Sequence, residues 1–259
     1  MTESFDKLVN IMARLRGEGG CPWDRQQTHE SLKPYLIEEA YETLEAIDAN
    51  DDENFKEELG DLLLQIVFHA QMASEDARFT IDDVAKNICQ KLIRRHPHVF
   101  GDQKADTAEE VLKNWEHIKK SEKPDEPGRS VLDGVPLSMP SLLRAWRVQG
   151  RAKSAGFDFK NVVEAFGKVD EELGEAHHCM ENENRECFEE EVGDLLFSLV
   201  NVCRFMKVNP EEALNKSTNK FVGRFKYIED KLAEQDKKPG ETAPDVMNAL
   251  WEEAKRRNE

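Results

Sequence analysis

Residues 38–42 read Glu-Glu-Ala-Tyr-Glu, and residues 58–61 read Glu-Leu-Gly-Asp. The same pattern returns as Glu-Glu-Leu-Gly-Glu at 171–175 and Glu-Val-Gly-Asp at 191–194, so each acid has a counterpart 133 positions later. The apolar residues that follow repeat at the same offset, with Leu62-Leu63 matched by Leu195-Leu196. A repeat that preserves both carboxylate spacing and an apolar run predicts two copies of one structural unit.

Apolar residues recur at three- and four-residue spacing along most of the chain, whereas alternating β-branched stretches are scarce. We expect a short loop at residues 21–24 and helices over 5–15, 32–49, 55–72, 81–96, 111–120, 142–153, 162–180, 188–205 and 210–232. The predicted fold class is therefore all-α, a tandem repeat of two helical-bundle units.

A stretch rich in proline and glycine separates the two copies. Four of the ten prolines and two glycines lie between residues 119 and 140, a composition typical of a linker or an ordered loop. The sequence thus predicts an N-terminal unit at 1–118, a linker at 119–140 and a C-terminal unit at 141–259.

The bulk composition limits the class of partner and the compartment. A net charge of −17 argues against a nucleic-acid polymer, because such binding depends on Lys and Arg neutralising phosphates. The five cysteines are scattered and form no C-x-x-C pair, which favours reduced thiols in the cytoplasm and argues against zinc. No segment reads as a secretion signal or a membrane span.

The repeated acids have a spacing that suits metal binding. Glu39 and Glu42 are three residues apart and share one helix face, as do Glu58 and Asp61 on the next helix. Antiparallel packing of those helices would bring four carboxylates together, and grouped hard oxygen ligands suit Mg²⁺ or Mn²⁺. The alternative is ordinary solvated acids, which the exact repetition of the set disfavours. The corresponding acids of the second half are Glu172, Glu175, Glu191 and Asp194.

A basic pair follows each acid set. Lys91 and Arg95 are four residues apart in the first half, as are Lys220 and Arg224 in the second. Each pair faces one side of its helix, where it could hold a phosphate beside a metal-loaded carboxylate cluster. The alternative for either pair is a surface salt-bridge pair.

Over essentially its whole length the chain resembles the MazG nucleoside triphosphate pyrophosphohydrolases. The resemblance rests on E-E-x-x-E followed by E-x-x-D in each half, on the Gly-Cys-Pro-Trp-Asp at 20–24 and on the Arg-Arg-His-Pro-His-Val-Phe at 94–100. It implies a Mg²⁺-dependent all-α enzyme, with Mn²⁺ as a possible substitute, that is a homodimer in the cytoplasm. The expected reaction converts a (d)NTP and water into a (d)NMP and pyrophosphate, with broad base tolerance, as nucleotide-pool house-cleaning.

The resemblance also assigns residues. The metal ligands it implies are Glu172, Glu175, Glu191 and Asp194, with first-half equivalents Glu39, Glu42, Glu58 and Asp61. Its nucleotide-binding residues are Lys168, Glu171, Glu172, Glu190, Lys220, Arg224 and Trp251, with first-half equivalents Lys91 and Arg95. We select Glu171 as the general base, because it adjoins the ligands without being needed as one. The resemblance places Trp251 against the base of the bound nucleotide; the alternative is that Trp251 packs a terminal helix.

Only the second half is followed by the segment that carries Trp251, so we expect catalysis mainly there. Three alternatives remain at this stage. Glu175 and His178 form one E-x-x-H, the motif of ferritin-like di-iron oxidoreductases, although the first half offers no matching histidine. A non-catalytic helical interaction protein is the second. The third is a specialised pyrophosphohydrolase acting on dUTP or on a phosphoribosyl nucleotide.

Overall fold

A computed structural model of the chain describes residues 3–122 and 130–257. Within these two ranges all the regular structure is helical, which confirms the predicted all-α class. The chain divides into two compact units, Met1–Pro124 and Asp125–Glu259. The boundary falls inside the predicted linker at 119–140, while the domain limits drawn from the sequence remain a prediction.

The first unit is built around one long helix pair. Its helices are α1 (Glu3–Arg16), α2 (Pro22–Gln26), α3 (Lys33–Ala49), α4 (Asp52–Glu75), α5 (Ile81–Arg95), α6 (Pro97–Phe100) and α7 (Ala108–Ser121). Helix α4 packs most extensively against α3, and also contacts α1 and α5. The buried cluster beneath these contacts consists of Met12, Leu32, Val67, Phe68 and Met72.

The second unit repeats the long pair and adds a C-terminal helix. Its helices are α8 (Ser141–Ser154), α9 (Val162–Glu181), α10 (Arg185–Phe205), α11 (Pro210–Ala233) and α12 (Pro244–Arg257). Helices α9 and α10 pack against each other, α8 packs on α10, and α11 packs mainly on α12 and α8. Its most deeply buried side chains include Val200, Ile228 and Leu232.

The helix boundaries of the two halves obey the repeat. Asp51 caps α4 and Asn184 caps α10, each through a side-chain oxygen that accepts from a backbone N–H, and these caps are 133 residues apart. In the preceding turns Asn50 and Glu183, also 133 apart, have φ of 53° and 54°. Each acid-bearing helix pair is thus the same antiparallel hairpin, closed by a residue in the left-handed region.

The structure corrects two local expectations. The predicted loop at residues 21–24 is the start of α2, because Pro22 at the first helical position has a φ suited to a helix and no N–H to lose. At the start of the predicted linker, α7 continues to Ser121. Residues 123–129 of the linker lie outside the described residues.

The expectation of five reduced thiols is wrong for two of them. Cys179 and Cys187 form a disulfide, with their Cα atoms 5.6 Å apart. The hairpin turn between α9 and α10 brings the helix ends together, and this Cα separation is typical of a disulfide. Cys21, Cys89 and Cys203 are unpaired. Among the described helices none is long and apolar enough to cross a membrane.

Candidate functional site

The first acid cluster lies between α3 and α4. Carboxylate oxygens of Glu39, Glu58 and Asp61 all lie within 4.8 Å of one another. Burial, followed by the charges of Asp61, Glu42 and Glu58, raises the pKa of Glu39. Burial also raises the pKa of Glu58, together with the charges of Glu42 and Asp61. Negative charges held this close favour a cation between them. Glu42, the fourth predicted ligand, is exposed at the edge of the group.

The second acid cluster lies between α9 and α10. Carboxylate oxygens of Glu172, Glu175 and Glu191 lie within 4.8 Å of one another. Glu172 is only 4% exposed, whereas Glu175 and Asp194 are exposed. Burial raises the pKa of Glu191, and the charge of Glu175 adds to that rise. The structure therefore brings three of the four predicted ligands into one group, with Asp194 one turn beyond Glu191 on α10.

A lysine distinguishes the second cluster from the first. The Nζ of Lys168 lies 2.6 Å from Glu172 and 2.8 Å from Glu171. The hydrogen bond from Lys168 is the main reason why the pKa of Glu172 is lowered, and the two carboxylates raise the pKa of Lys168 in turn. Its counterpart at the repeat offset is Tyr35. The position equivalent to Lys168 in the first half thus carries no cation, an asymmetry that the 133-residue offset could have revealed from the sequence.

The remaining predicted acids are at the surface. Glu171, the predicted base, has a side chain that is 56% exposed and accepts from Lys168. Glu190 is exposed on α10, immediately before the ligand candidate Glu191. Both side chains are therefore accessible from solvent.

The basic pair of the second half is associated with the terminal helix. The Arg224 guanidinium lies 5.7 Å from the centre of the Trp251 ring, and the Phe221 ring lies 5.1 Å from the same ring. Trp251 thus packs a terminal helix onto α11, and its predicted contact with a nucleotide base stays a prediction. Lys220 is exposed, and the buried Nε of Arg224 has no hydrogen-bond partner. Within the described residues, neither cation has an ion pair with an acid of the second cluster.

The two residues of the first-half basic pair, Lys91 and Arg95, have different surroundings. The Nε of Arg95 donates to both oxygens of Glu122 at 3.1 Å, and its guanidinium lies 5.3 Å from the centre of the Trp115 ring. The Nε of Arg94 also donates to Glu122, at 2.6 Å. Lys91 is half-buried on α5. Glu122 was not predictable from sequence spacing, because its partners on α5 lie 27 and 28 residues earlier in the chain.

The hydrogen bonds from Arg94 and Arg95 to Glu122 lead to a prediction about the stability of the protein in acid. Hydrogen bonds from Arg95 and Arg94 lower the pKa of Glu122 from 4.5 to about 2. A depressed folded-state pKa gives stability that is present above the unfolded pKa and is lost as the pH falls through the folded one. We expect Glu122→Gln to have a lower unfolding midpoint temperature than the parent chain at pH 7. The difference between the two midpoints should shrink as the pH falls from 4.5 to 2.

Thermal unfolding followed by circular dichroism across this pH range measures the effect. The matched control is Glu18→Gln, at an exposed glutamate in the same unit. A constant difference between Glu122→Gln and the parent chain at every pH would contradict the assignment.

Comparison with known proteins places this arrangement in a family. The model of the MazG nucleotide pyrophosphohydrolase domain matches residues 27–100 and again residues 166–228. The chain belongs to the MazG family. The first matched segment contains the acid cluster of α3 and α4, and the second contains that of α9 and α10 with Lys168, Lys220 and Arg224. Trp251 lies outside both segments of the MazG match.

Several MazG relatives are similar over most of the chain. A Thermotoga maritima protein named nucleoside triphosphate pyrophosphohydrolase/pyrophosphatase MazG is 50% identical, over 97% of this chain and 95% of its own. An Escherichia coli K12 nucleoside triphosphate pyrophosphohydrolase is 41% identical over 97% of each chain. The solved structure of a mazG-related protein from Thermotoga maritima is 30% identical, covering 44% of this chain and 98% of its own at a TM-score of 0.39.

Proposed function

We propose that this MazG-family chain hydrolyses nucleoside triphosphates, deoxy or ribo, to the monophosphate and pyrophosphate. The observation that carries the proposal is the second acid cluster, in which three carboxylates approach within 4.8 Å beside a lysine. Closely spaced carboxylates favour a bound cation, and a triphosphate is bound by several positive groups. A metal ion held by the second acid cluster would satisfy both, because it neutralises the carboxylates and the phosphates together. The names of the full-length relatives support the same reaction.

The donor set fits a hard divalent cation. Grouped carboxylate oxygens are the ligands that Mg²⁺ and Mn²⁺ prefer. Burial is the main cause of the raised pKa of Glu191, and the charge of Glu175, which a cation would offset, adds to it. Glu172, Glu175 and Glu191 would hold the ion in the second half, with Asp194 as the fourth ligand. Bound Mg²⁺ would supply charge neutralisation and Lewis acidity at the α-phosphate.

The chain's own groups divide the remaining work. A carboxylate oxygen of Glu171 accepts the proton of the attacking water, and the hydrogen bond from Lys168 holds that carboxylate in place. Lys168, Lys220 and Arg224 stabilise the negative charge on the phosphates. Trp251, which lies beside Arg224, contacts the base of the nucleotide. The first cluster is regulatory, structural or specific for another nucleotide, because Tyr35 replaces the lysine there.

The wider assignments complete the proposal. A homodimer is supported by apolar side chains exposed along α3, among them Ile37 (57%) and Leu44 (53%), whose burial would be favourable. The cytoplasm is the compartment where nucleoside triphosphates are available. Base tolerance is broad, which suits removal of unwanted nucleotides from the pool.

The di-iron alternative loses support from the position of its histidine. The side chain of His178 lies 3.3 Å from the amide nitrogen of Asn182, at the C-terminal end of α9. It does not belong to the group formed by Glu172, Glu175 and Glu191. The E-x-x-H spacing therefore does not place imidazole among the carboxylates.

Product analysis tests the reaction. The purified chain, incubated with Mg²⁺ and each common NTP and dNTP, is expected to release the monophosphate and pyrophosphate, and EDTA is expected to abolish the release. Diphosphate plus phosphate as products would contradict attack at the α-phosphorus. Turnover of a single nucleotide such as dUTP would favour the specialised hydrolase, and no turnover would favour the interaction protein.

A further inference from the structure

The disulfide lies at the end of the hairpin that carries the second acid cluster. Cys179 is in the last turns of α9 and Cys187 is in the first turn of α10, with the turn residues 182–184 between the helices. Cys179 is 3% exposed and Cys187 is half-buried. The bond therefore ties together the two helix ends that face the acids.

The sulfur atoms are one helical turn from two proposed metal ligands. Cys179 follows Glu175 by four residues and Cys187 precedes Glu191 by four, so each cysteine shares a helix face with one acid. The two sulfurs and a carboxylate oxygen of Glu191 all lie within 4.8 Å of one another. Glu191 is thus a member of both the acid group and the sulfur group.

This arrangement belongs to the second half alone. The residues 133 positions before the two cysteines are Ala46 and Asn54. The first cluster has the same hairpin without the sulfur pair.

We propose that Cys179 and Cys187 are a reversible thiol–disulfide pair whose oxidation strengthens divalent-cation binding by the second acid cluster. This rests on the proposed function, which assigns a cation to that cluster. The class of co-reactant is a peroxide for oxidation and a dithiol for reduction.

The oxidation balances with hydrogen peroxide. The thiol of Cys187, on the more accessible side chain, loses its proton, and the thiolate attacks one peroxide oxygen; the O–O bond breaks, a sulfenic acid forms, and the released proton converts the departing hydroxide to water. The Cys179 thiol also loses its proton, its thiolate attacks the sulfenic sulfur, and the displaced hydroxide takes that proton to leave as a second water. The two thiols lose two electrons, which reduce one peroxide to two waters. A dithiol reverses the change by exchange through a mixed disulfide.

The consequence for the acids follows from sulfur geometry. Two unbonded sulfurs cannot remain at bonding distance, so reduction moves the cysteine side chains apart beside Glu191 and removes the tether between the helix ends. The position of Glu191 relative to Glu175 is then less restricted. Groups that position a metal ligand commonly change metal affinity by tenfold or more.

The test is Mn²⁺ binding to the full chain in both redox states. Glu58→Gln removes a first-cluster ligand, so that the remaining tight binding reports the second cluster. Oxidised protein, with the bond verified by thiol alkylation and mass spectrometry, is compared by calorimetry with protein reduced by a phosphine that is then removed. We expect the dissociation constant to rise about tenfold on reduction.

Two variants sharpen the comparison. The double variant Cys179→Ser/Cys187→Ser is expected to bind Mn²⁺ as the reduced chain does, with or without peroxide. Cys89→Ser, at an exposed cysteine of the first unit, keeps the full response.

Equal affinities in the two redox states would overturn the inference, and so would two free thiols after peroxide treatment. The comparison of oxidised with reduced protein keeps both Cys179 and Cys187, so it remains a valid test even if the Cys179→Ser/Cys187→Ser variant does not fold. Absence of Mn²⁺ binding in both states would instead overturn the proposed function, together with the inference that depends on it.

Discussion

Glu175→Ala is expected to reduce pyrophosphate release about 10³-fold or more, since a metal that stabilises the transition state by several kcal/mol would lose a ligand. Glu175 belongs to the compact group with Glu172 and Glu191, and on these acids the proposed cation depends. The loss should appear mainly in kcat at saturating Mg²⁺. Steady-state kinetics with a coupled pyrophosphate assay measure it.

Glu42→Ala is the matched control, because Glu42 occupies the same position in the first repeat. That variant should retain most of the activity if the second half performs the reaction. Equal losses from the two substitutions would contradict the division of labour between the halves. A loss confined to Glu42→Ala would assign catalysis to the first half.

Lys168→Met is expected to lower kcat/KM by about one to two orders of magnitude, the effect of removing one charged hydrogen-bonding group. The substitution removes the cation that lies 2.6 Å from the buried Glu172. Without it, the rise that burial causes in the pKa of Glu172 would no longer be offset by the lysine, so this pKa would be higher than in the parent chain. The acidic limb of the kcat/KM profile should therefore move to higher pH.

Measurement of kcat/KM from pH 5 to pH 9 in saturating Mg²⁺ tests this shift. Lys160→Met is the control, because Lys160 is an exposed lysine just before α9. Lys168→Arg should recover part of the loss, since a guanidinium keeps the charge. An unchanged pH profile in Lys168→Met would show that Lys168 does not govern the protonation of Glu172.

The sequence predicted the long hairpins well because their signals are local. Three-residue spacing places two acids on one helix face whatever surrounds the helix, and a matching set 133 residues later requires the same hairpin again. The polar caps at Asp51 and Asn184 set where α4 and α10 begin. The contrast between Lys168 and Tyr35 was also readable from the offset.

Several features were not readable, because each depends on the approach of distant segments. Glu122 lies more than 25 residues from Arg94 and Arg95, and only the packing of α7 beside α5 joins them. The pairing of Cys179 with Cys187 depends on how tightly the α9–α10 turn closes. Nor could spacing decide whether Trp251 packs on α11, where it contacts Phe221.

The sequence by itself determined the all-α class, the two copies of the unit and the identity of the acids, because helix periodicity and residue type are properties of short segments. The tertiary structure alone decided which acids form a compact group, which cation neutralises Glu172 and which cysteines bond. Carboxylate pKa values, ion pairs and disulfides depend on distances of a few ångströms between different helices, and sequence spacing within a helix does not fix those distances.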